Sequence, residues 1–181
     1  MSTDSTGGNP ESNQSPRRQA TKEQAKAVAS EVRLRILRLC LRNPLTNKEI
    51  AARLEMNTGT ALHHVRKLVD VGFLVPQEPR TGKRGAREIP YLATGVTWEL
   101  DYGPDTYPET SKAMRDAFVA ESEASGGMAN STRFTVRLNE KRRREFFDRV
   151  QALFEEYIAE EDTGSGTREY GVYFAAHESE R

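Results

Sequence analysis

Thr46–Val75 reads TNKEIAARLEMNTGTALHHVRKLVDVGFLV, and its local signals decide the fold. Thr46-Asn47-Lys48-Glu49 has the form of a capping box, a hydroxyl followed three residues later by a carboxylate. Ile50, Ala51 and Leu54 then give a short helix its buried side. Glu55-Met56 makes a turn, and Asn57 is a good N-cap for a second helix from Thr58 to about Asp70, closed near Gly72. At about 100° per residue, Ala61, Leu62, Val65, Leu68 and Val69 fall on one side of this second helix. Gly59, Thr60, His63, His64 and Lys67 fall on the other. Helix, tight turn and helix with a polar stripe form a helix-turn-helix reading unit.

Upstream, Ala20 to Arg42 reads as one helix, with Val28, Val32, Ile36, Leu37 and Cys40 at three- and four-residue spacing. Asn43-Pro44 ends it. Downstream, Phe73-Leu74-Val75 and Glu88–Leu92 read as paired strands, with Pro90 better suited to a sheet edge. Between them lies Arg80-Thr81-Gly82-Lys83-Arg84-Gly85-Ala86-Arg87, a basic hairpin that serves as a wing. Val96–Leu100 has the composition of a further short strand, and Trp98 that of an apolar anchor between the halves. Residues 1–19 are nearly devoid of apolar side chains and are expected to be a disordered tail. The winged helix-turn-helix is assigned to residues 20–102.

Residues 103–181 follow as a C-terminal region for dimerisation and sensing. Gly103–Pro108 is a linker by composition, and Thr110 or Ser111 caps a helix reaching Ser125. Arg133–Leu138 alternates as a strand, Asn139 caps a long helix over Glu140–Glu161, and Tyr170–Ala176 reads as a last strand. The expected fold class is therefore α+β: an N-terminal winged helix-turn-helix, a dimerisation helix, and a small β-α-β unit. The stripe Phe146–Ile158 is either the core of that unit or a second dimer surface.

The chain is 30% charged with a formal net charge of zero, but the charge is divided unevenly. Residues 1–95 carry 16 Lys and Arg against 9 Asp and Glu, a net of +7; residues 96–181 carry 11 against 18, a net of −7. One half is drawn to polyanions and the other is not. No apolar run approaches the ~18 residues of a membrane span. With no apolar signal core and a single cysteine, Cys40, a reducing cytoplasm is expected. Cys40 itself sits among leucines as a small core residue.

A helix that reads the major groove needs short polar residues near its N-terminus and hydrogen-bonding side chains one turn later. Thr60 and His63 meet this requirement for base edges, with His64 beside them. Thr58 suits a phosphate at the helix N-terminus. Arg66 and Lys67 suit backbone phosphates, as do the wing cations Arg80, Lys83, Arg84 and Arg87. The bland alternative for the stripe is a solvated face, and the basic wing is what argues against it. His63 and His64 diverge by about 100° and cannot easily chelate one ion, and the sequence has no Cys-x-Cys or His-x₃-His spacing. No metal and no cofactor is expected. Nor is any catalytic residue: there is no nucleophile elbow, phosphate-binding glycine loop or H-E-x-x-H motif. A winged-helix module that docks proteins without binding DNA is the rival reading.

The R-x-x-I-L run Arg33–Leu37, the segment Thr60–Leu68 and the exit Gly72–Val75 resemble winged helix-turn-helix regulators of the ArsR type over about residues 20–95. The resemblance implies a homodimer on palindromic double-stranded DNA, usually repressing transcription, with room for a small-molecule or protein effector. It also implies DNA contacts at Thr58, Thr60, His63, His64 and Arg66 and at the wing cations. The paired cysteines of metal-sensing members are missing from Asn47–Arg53, and so is their C-terminal ligand pattern, so the resemblance does not carry metal sensing.

Overall fold

The computed structural model describes residues 17–82, 85–162 and 164–178. Of the expected tail over residues 1–19, residues 1–16 lie outside them, as do the wing cations Lys83 and Arg84; the rest is not tail, since Arg18–Gln19 form a short strand held by a long-range partner. The chain divides into two compact units, up to Glu121 and from Ser122 onward.

In the first unit the expected single helix over Ala20–Arg42 is two, α1 (Lys22–Val28) and α2 (Glu31–Leu39). Thr21 opens α1 with a capping box to Gln24, a T-x-x-Q signal that the apolar periodicity overshadowed. The break falls at Ala29-Ser30. There the Arg33 guanidinium turns back, its Nε donating to the Ala27 carbonyl (2.5 Å) and its terminal nitrogen to that of Lys26 (2.7 Å). Two carbonyls that a continuous helix would satisfy internally are thus satisfied by a side chain.

Helix α3 (Asn47–Arg53) starts at Thr46 with both halves of the capping box formed, and α4 (Thr58–Asp70) starts at Asn57, whose Oδ1 accepts from the Gly59 amide (2.7 Å). Both helices end alike. At the end of α3, the Glu55 amide donates to the Ala52 carbonyl and that of Met56 to Ala51, with Glu55 left-handed at φ 51°. At the end of α4, Gly72 donates to Val69 and Phe73 to Leu68, with Gly72 at φ 76°. These are Schellman closures, one with the glycine the geometry favours and one without it.

Strands β2 (Leu45–Thr46) and β3 (Leu74–Pro76) flank β6 (Pro90–Ala93) in an antiparallel sheet of order β2-β6-β3. Pro90 therefore lies in the middle strand and not at an edge; it occupies the first position, where a missing N–H is tolerated. The wing has its own two-residue ladder, β4 (Arg80–Thr81) on β5 (Arg87–Glu88). Val96–Glu99 is a 3-10 turn instead of the expected strand. The strand starts later, as β7 (Leu100–Asp101), and pairs in parallel with β1 (Arg18–Gln19). Trp98 stays exposed, with the Arg17 guanidinium 5.0 Å from its ring centroid.

Ile36, Cys40, Ile50, Val65, Leu68, Phe73 and Leu74 are fully buried in one cluster to which α2, α3, α4 and β3 all contribute. Helix α5 (Tyr107–Ala124) begins three residues before Thr110, the first of its two expected caps. Pro108 sits in its first turn, where proline fits, and the Thr110 hydroxyl donates back to the Thr106 carbonyl (2.9 Å).

In the second unit α6 (Glu140–Ala159) is capped by Asn139, whose Oδ1 accepts from the Arg142 amide (2.9 Å). The expected strands Arg133–Leu138 and Tyr170–Ala176 are present only as segments without an assigned ladder. Their apolar alternation suits a sheet, but among the described residues neither segment is a strand of a sheet.

Candidate nucleic-acid interface

Helix α4 owes its placement to what lies under it. Ala61, Val65 and Leu68 are buried and fix its rotation, so the opposite stripe must face outward. Thr58, Gly59, Thr60, His63, Arg66 and Lys67 are all exposed. The start of α4 is fastened to the start of α3 by Asn47, whose Nδ2 donates to the Thr58 carbonyl (2.9 Å). The end is fastened to the sheet by the Thr94 hydroxyl, which donates to the Gly72 carbonyl (2.9 Å). The exposed stripe is thus carried on a helix clamped at both ends.

His64 departs from this pattern. It is half-buried, and its Nδ1 is buried without a hydrogen-bond partner. Burial lowers its pKa below the ordinary histidine value, reinforced by Arg33, His63 and Lys67. The neutral form is favoured there, so His64 belongs to the shoulder of the stripe. His63, its ring centroid 5.8 Å away in an edge-on arrangement, is exposed.

The wing follows β3. The Gly82 amide donates to the Ala86 carbonyl (2.7 Å), and Gly85 takes φ 75°. Arg87 is exposed on β5. Arg80 is engaged: one terminal nitrogen donates to both carboxylate oxygens of Glu49 at 2.7 Å. Glu49 also accepts from the Thr46 amide (2.8 Å) and hydroxyl (2.9 Å). Its carboxyl is held below the usual range, first by that amide and then by the Thr46 hydroxyl and Arg80, against the opposing effect of burial. One carboxylate therefore caps α3 and tethers the base of the wing. Asn47 and the Glu49–Arg80 pair escaped the sequence reading. The capping role was readable at three-residue spacing, whereas the contact across 31 residues has no local signature.

Comparison with known proteins bears on this region. Residues 28–77 are a helix-turn-helix domain by their match to a family model of that description. None of the curated proteins matches the chain. Among solved structures, reduced HlyU from Vibrio cholerae N16961 is 22% identical, covering 51% of this chain and 83% of its own, with a TM-score of 0.34. The regulator Tm0710 from Thermotoga maritima is 14% identical over 72% of this chain and 79% of its own, with a TM-score of 0.32. The Mycobacterium tuberculosis MarR family protein Rv2887, in complex with salicylic acid, is 18% identical over 72% and 84%, with a TM-score of 0.31.

The matched domain takes in α2, α3, α4 and β3, and α4 is its second helix after the turn. The described wing strands continue directly from it. Among the described residues no helix is long and apolar enough to cross a membrane.

Proposed function

We propose that the protein is a sequence-specific DNA-binding regulator of transcription, ArsR-like in its reading unit, that acts as a homodimeric repressor. The observation that carries the proposal is the clamped α4, buried on one face and presenting Thr58, Thr60, His63, Arg66 and Lys67 on the other, within a half of the chain charged +7. A single α-helix fits the major groove, where hydroxyl and imidazole groups can read base edges. In this reading Thr60 and His63 contact bases, while Thr58, Arg66, Lys67 and the wing cations Lys83, Arg84 and Arg87 contact phosphates. His64 supports the stripe from its half-buried position, and Arg80 orients the wing through Glu49. Helix-turn-helix readers work as pairs on two half-sites about one helical turn apart, which is the basis for the dimer.

Selection of bound sequences from a random duplex pool tests this. The expected product is an inverted repeat with half-sites centred about 10 bp, or a multiple of that, apart. Thr60→Ala and His63→Ala should change the selected sequence, and Arg66→Ala should weaken all sequences alike. A pool with no enrichment at low salt would overturn the proposal.

A further inference from the structure

The second unit leaves an unusual amount of apolar surface open. No residue of α6 is fully buried. Phe146, Phe147, Val150, Leu153, Phe154, Tyr157 and Ile158 fall within an arc of roughly 140°. Phe174 covers part of that arc, with its ring centroid 6.2 Å from those of Phe146 and Phe147 and 6.1 Å from that of Phe154. Leu153, Tyr157 and Ile158 remain more than half exposed, as do Phe134, Val136, Tyr170 and Val172 on the flanking segments. Contiguous apolar surface of this kind marks an interface.

The charges on α6 indicate what covers it. Arg142, Arg143 and Arg144 lie at its start, and Glu160, Glu161 and Asp162 lie at and just past its end. The basic triplet lies within the first turns of α6, whereas Glu160 is its C-cap and Glu161 and Asp162 follow it, so the helix is basic at one end and acidic at the other. The midpoint between the two triplets is residue 152, which is also the midpoint of the stripe Phe146–Ile158. A two-fold axis there lays a second α6 antiparallel on the first, with the Arg142–Arg144 end of one beside the Glu160–Asp162 end of the other. The same operation brings Phe146 level with Ile158, Phe147 with Tyr157, and Val150 with Phe154. An isologous interface demands this property, that one patch hold both halves of every contact. A parallel arrangement would instead set arginine beside arginine.

We infer that the surface of α6 is a self-association site whose occupant is the α6 of a second copy of this chain, packed antiparallel about residue 152. The inference deepens the proposed regulator, whose dimer it locates, and it is tested without DNA. Sedimentation equilibrium of the full chain at low salt should show a dimer. One variant carries Arg142→Glu, Arg143→Glu and Arg144→Glu, and another carries Glu160→Lys, Glu161→Lys and Asp162→Lys. Each alone should dissociate at least about tenfold more readily, because every terminal contact becomes a like-charge contact. Both put the favoured sign at their helix ends, but the arginine variant also breaks the pairs of Arg142 with Glu145 and of Arg143 and Arg144 with Glu140 within the helix, so its dissociation is read only where far-UV circular dichroism shows α6 intact. Mixed in equal amounts, the two should form a heterodimer about as stable as the wild-type dimer.

A monomeric wild type at tens of micromolar, variants that dimerise as well as wild type, or a mixture that fails to associate would each overturn the inference. Binding of random duplex is measured separately. A wild type that dimerises through α6 but ignores duplex refutes the DNA reading alone, and variants that stay dimeric and bind duplex refute the α6 site alone.

Discussion

Glu49 performs two tasks that substitution can separate. Its carboxylate accepts from the Thr46 amide and hydroxyl, and it pairs with Arg80 at the base of the wing. Glu49→Ala removes both. Loss of the capping interaction costs about 1 kcal/mol. The ion pair is nearly half exposed on each side, so screening limits it to about 0.2–1 kcal/mol. Together these give roughly 1–2 kcal/mol, or about 0.5–1 M in the urea midpoint at a slope near 2 kcal/mol/M. Glu49→Gln keeps a capping-box acceptor and removes only the charge, so it should lose no more than about half as much. Acid unfolding gives a second reading of the same group. The folded pKa of Glu49 lies below its unfolded value, so its contribution is complete above the usual carboxylate range and disappears as pH falls through the folded pKa. Glu49→Gln should remove that part of the acid dependence. Both variants also release Arg80 to phosphate, which should steepen the salt dependence of duplex binding by about 0.9. If Glu49→Gln were as damaging to stability as Glu49→Ala, the division between cap and ion pair would be wrong. If duplex affinity fell in a variant of intact stability, the loss of the wing's tether to Glu49 would outweigh the gain from a released Arg80, and the expected steeper salt dependence would be refuted.

Three other expectations concern the scaffold. Gly72→Ala puts a side chain at φ 76° and should destabilise by about 1–2 kcal/mol, whereas Glu55→Gly relieves the same conformation at φ 51° and should stabilise by about 0.5–1 kcal/mol; thermal unfolding of the pair checks both signs. His64 binds its proton less readily folded than unfolded, so stability should fall as pH drops from about 7 through the unfolded histidine range; His64→Gln should flatten that slope in urea titrations, and an unchanged slope would contradict it. Cys40 is fully buried and its thiol is pushed up to about 11, chiefly by burial, so at pH 8 it should resist alkylation in the native protein and react promptly in denaturant.

The reading unit was legible because its determinants are local. The capping box at Thr46, the cap at Asn57, the glycine exit at Gly72 and the rotation of α4 each depend on residues within one or two turns. The division of α1 from α2 was not, because Val28, Val32 and Ile36 stay in phase across it and the freed carbonyls of Lys26 and Ala27 are met by the side chain of Arg33. The pairing of Arg18-Gln19 with Leu100-Asp101 joins residues some 80 positions apart through two-residue strands, too short to leave an alternation. The segments around α6 show the opposite failure. Phe134, Val136 and Leu138, like Tyr170, Val172 and Phe174, alternate as strands do, yet a pattern supplies a face and not a hydrogen-bonding neighbour. Within the candidate interface, the wheel placed Thr60, His63 and Lys67 on the outer side, where they are exposed. His64 went with them at the edge of the arc, where a few tens of degrees separate an open side chain from a half-buried one.

The central claim is that α4 and the wing together hold duplex DNA, and fluorescence anisotropy with a random-sequence duplex between 50 and 200 mM salt, an interval of about fourfold, tests it most directly. The wild-type association constant should fall steeply and linearly on logarithmic axes, and Lys67→Ala and Arg87→Ala should each weaken binding and reduce the slope by about 1. No binding at the lowest salt, or a slope that neither substitution alters, would contradict the account.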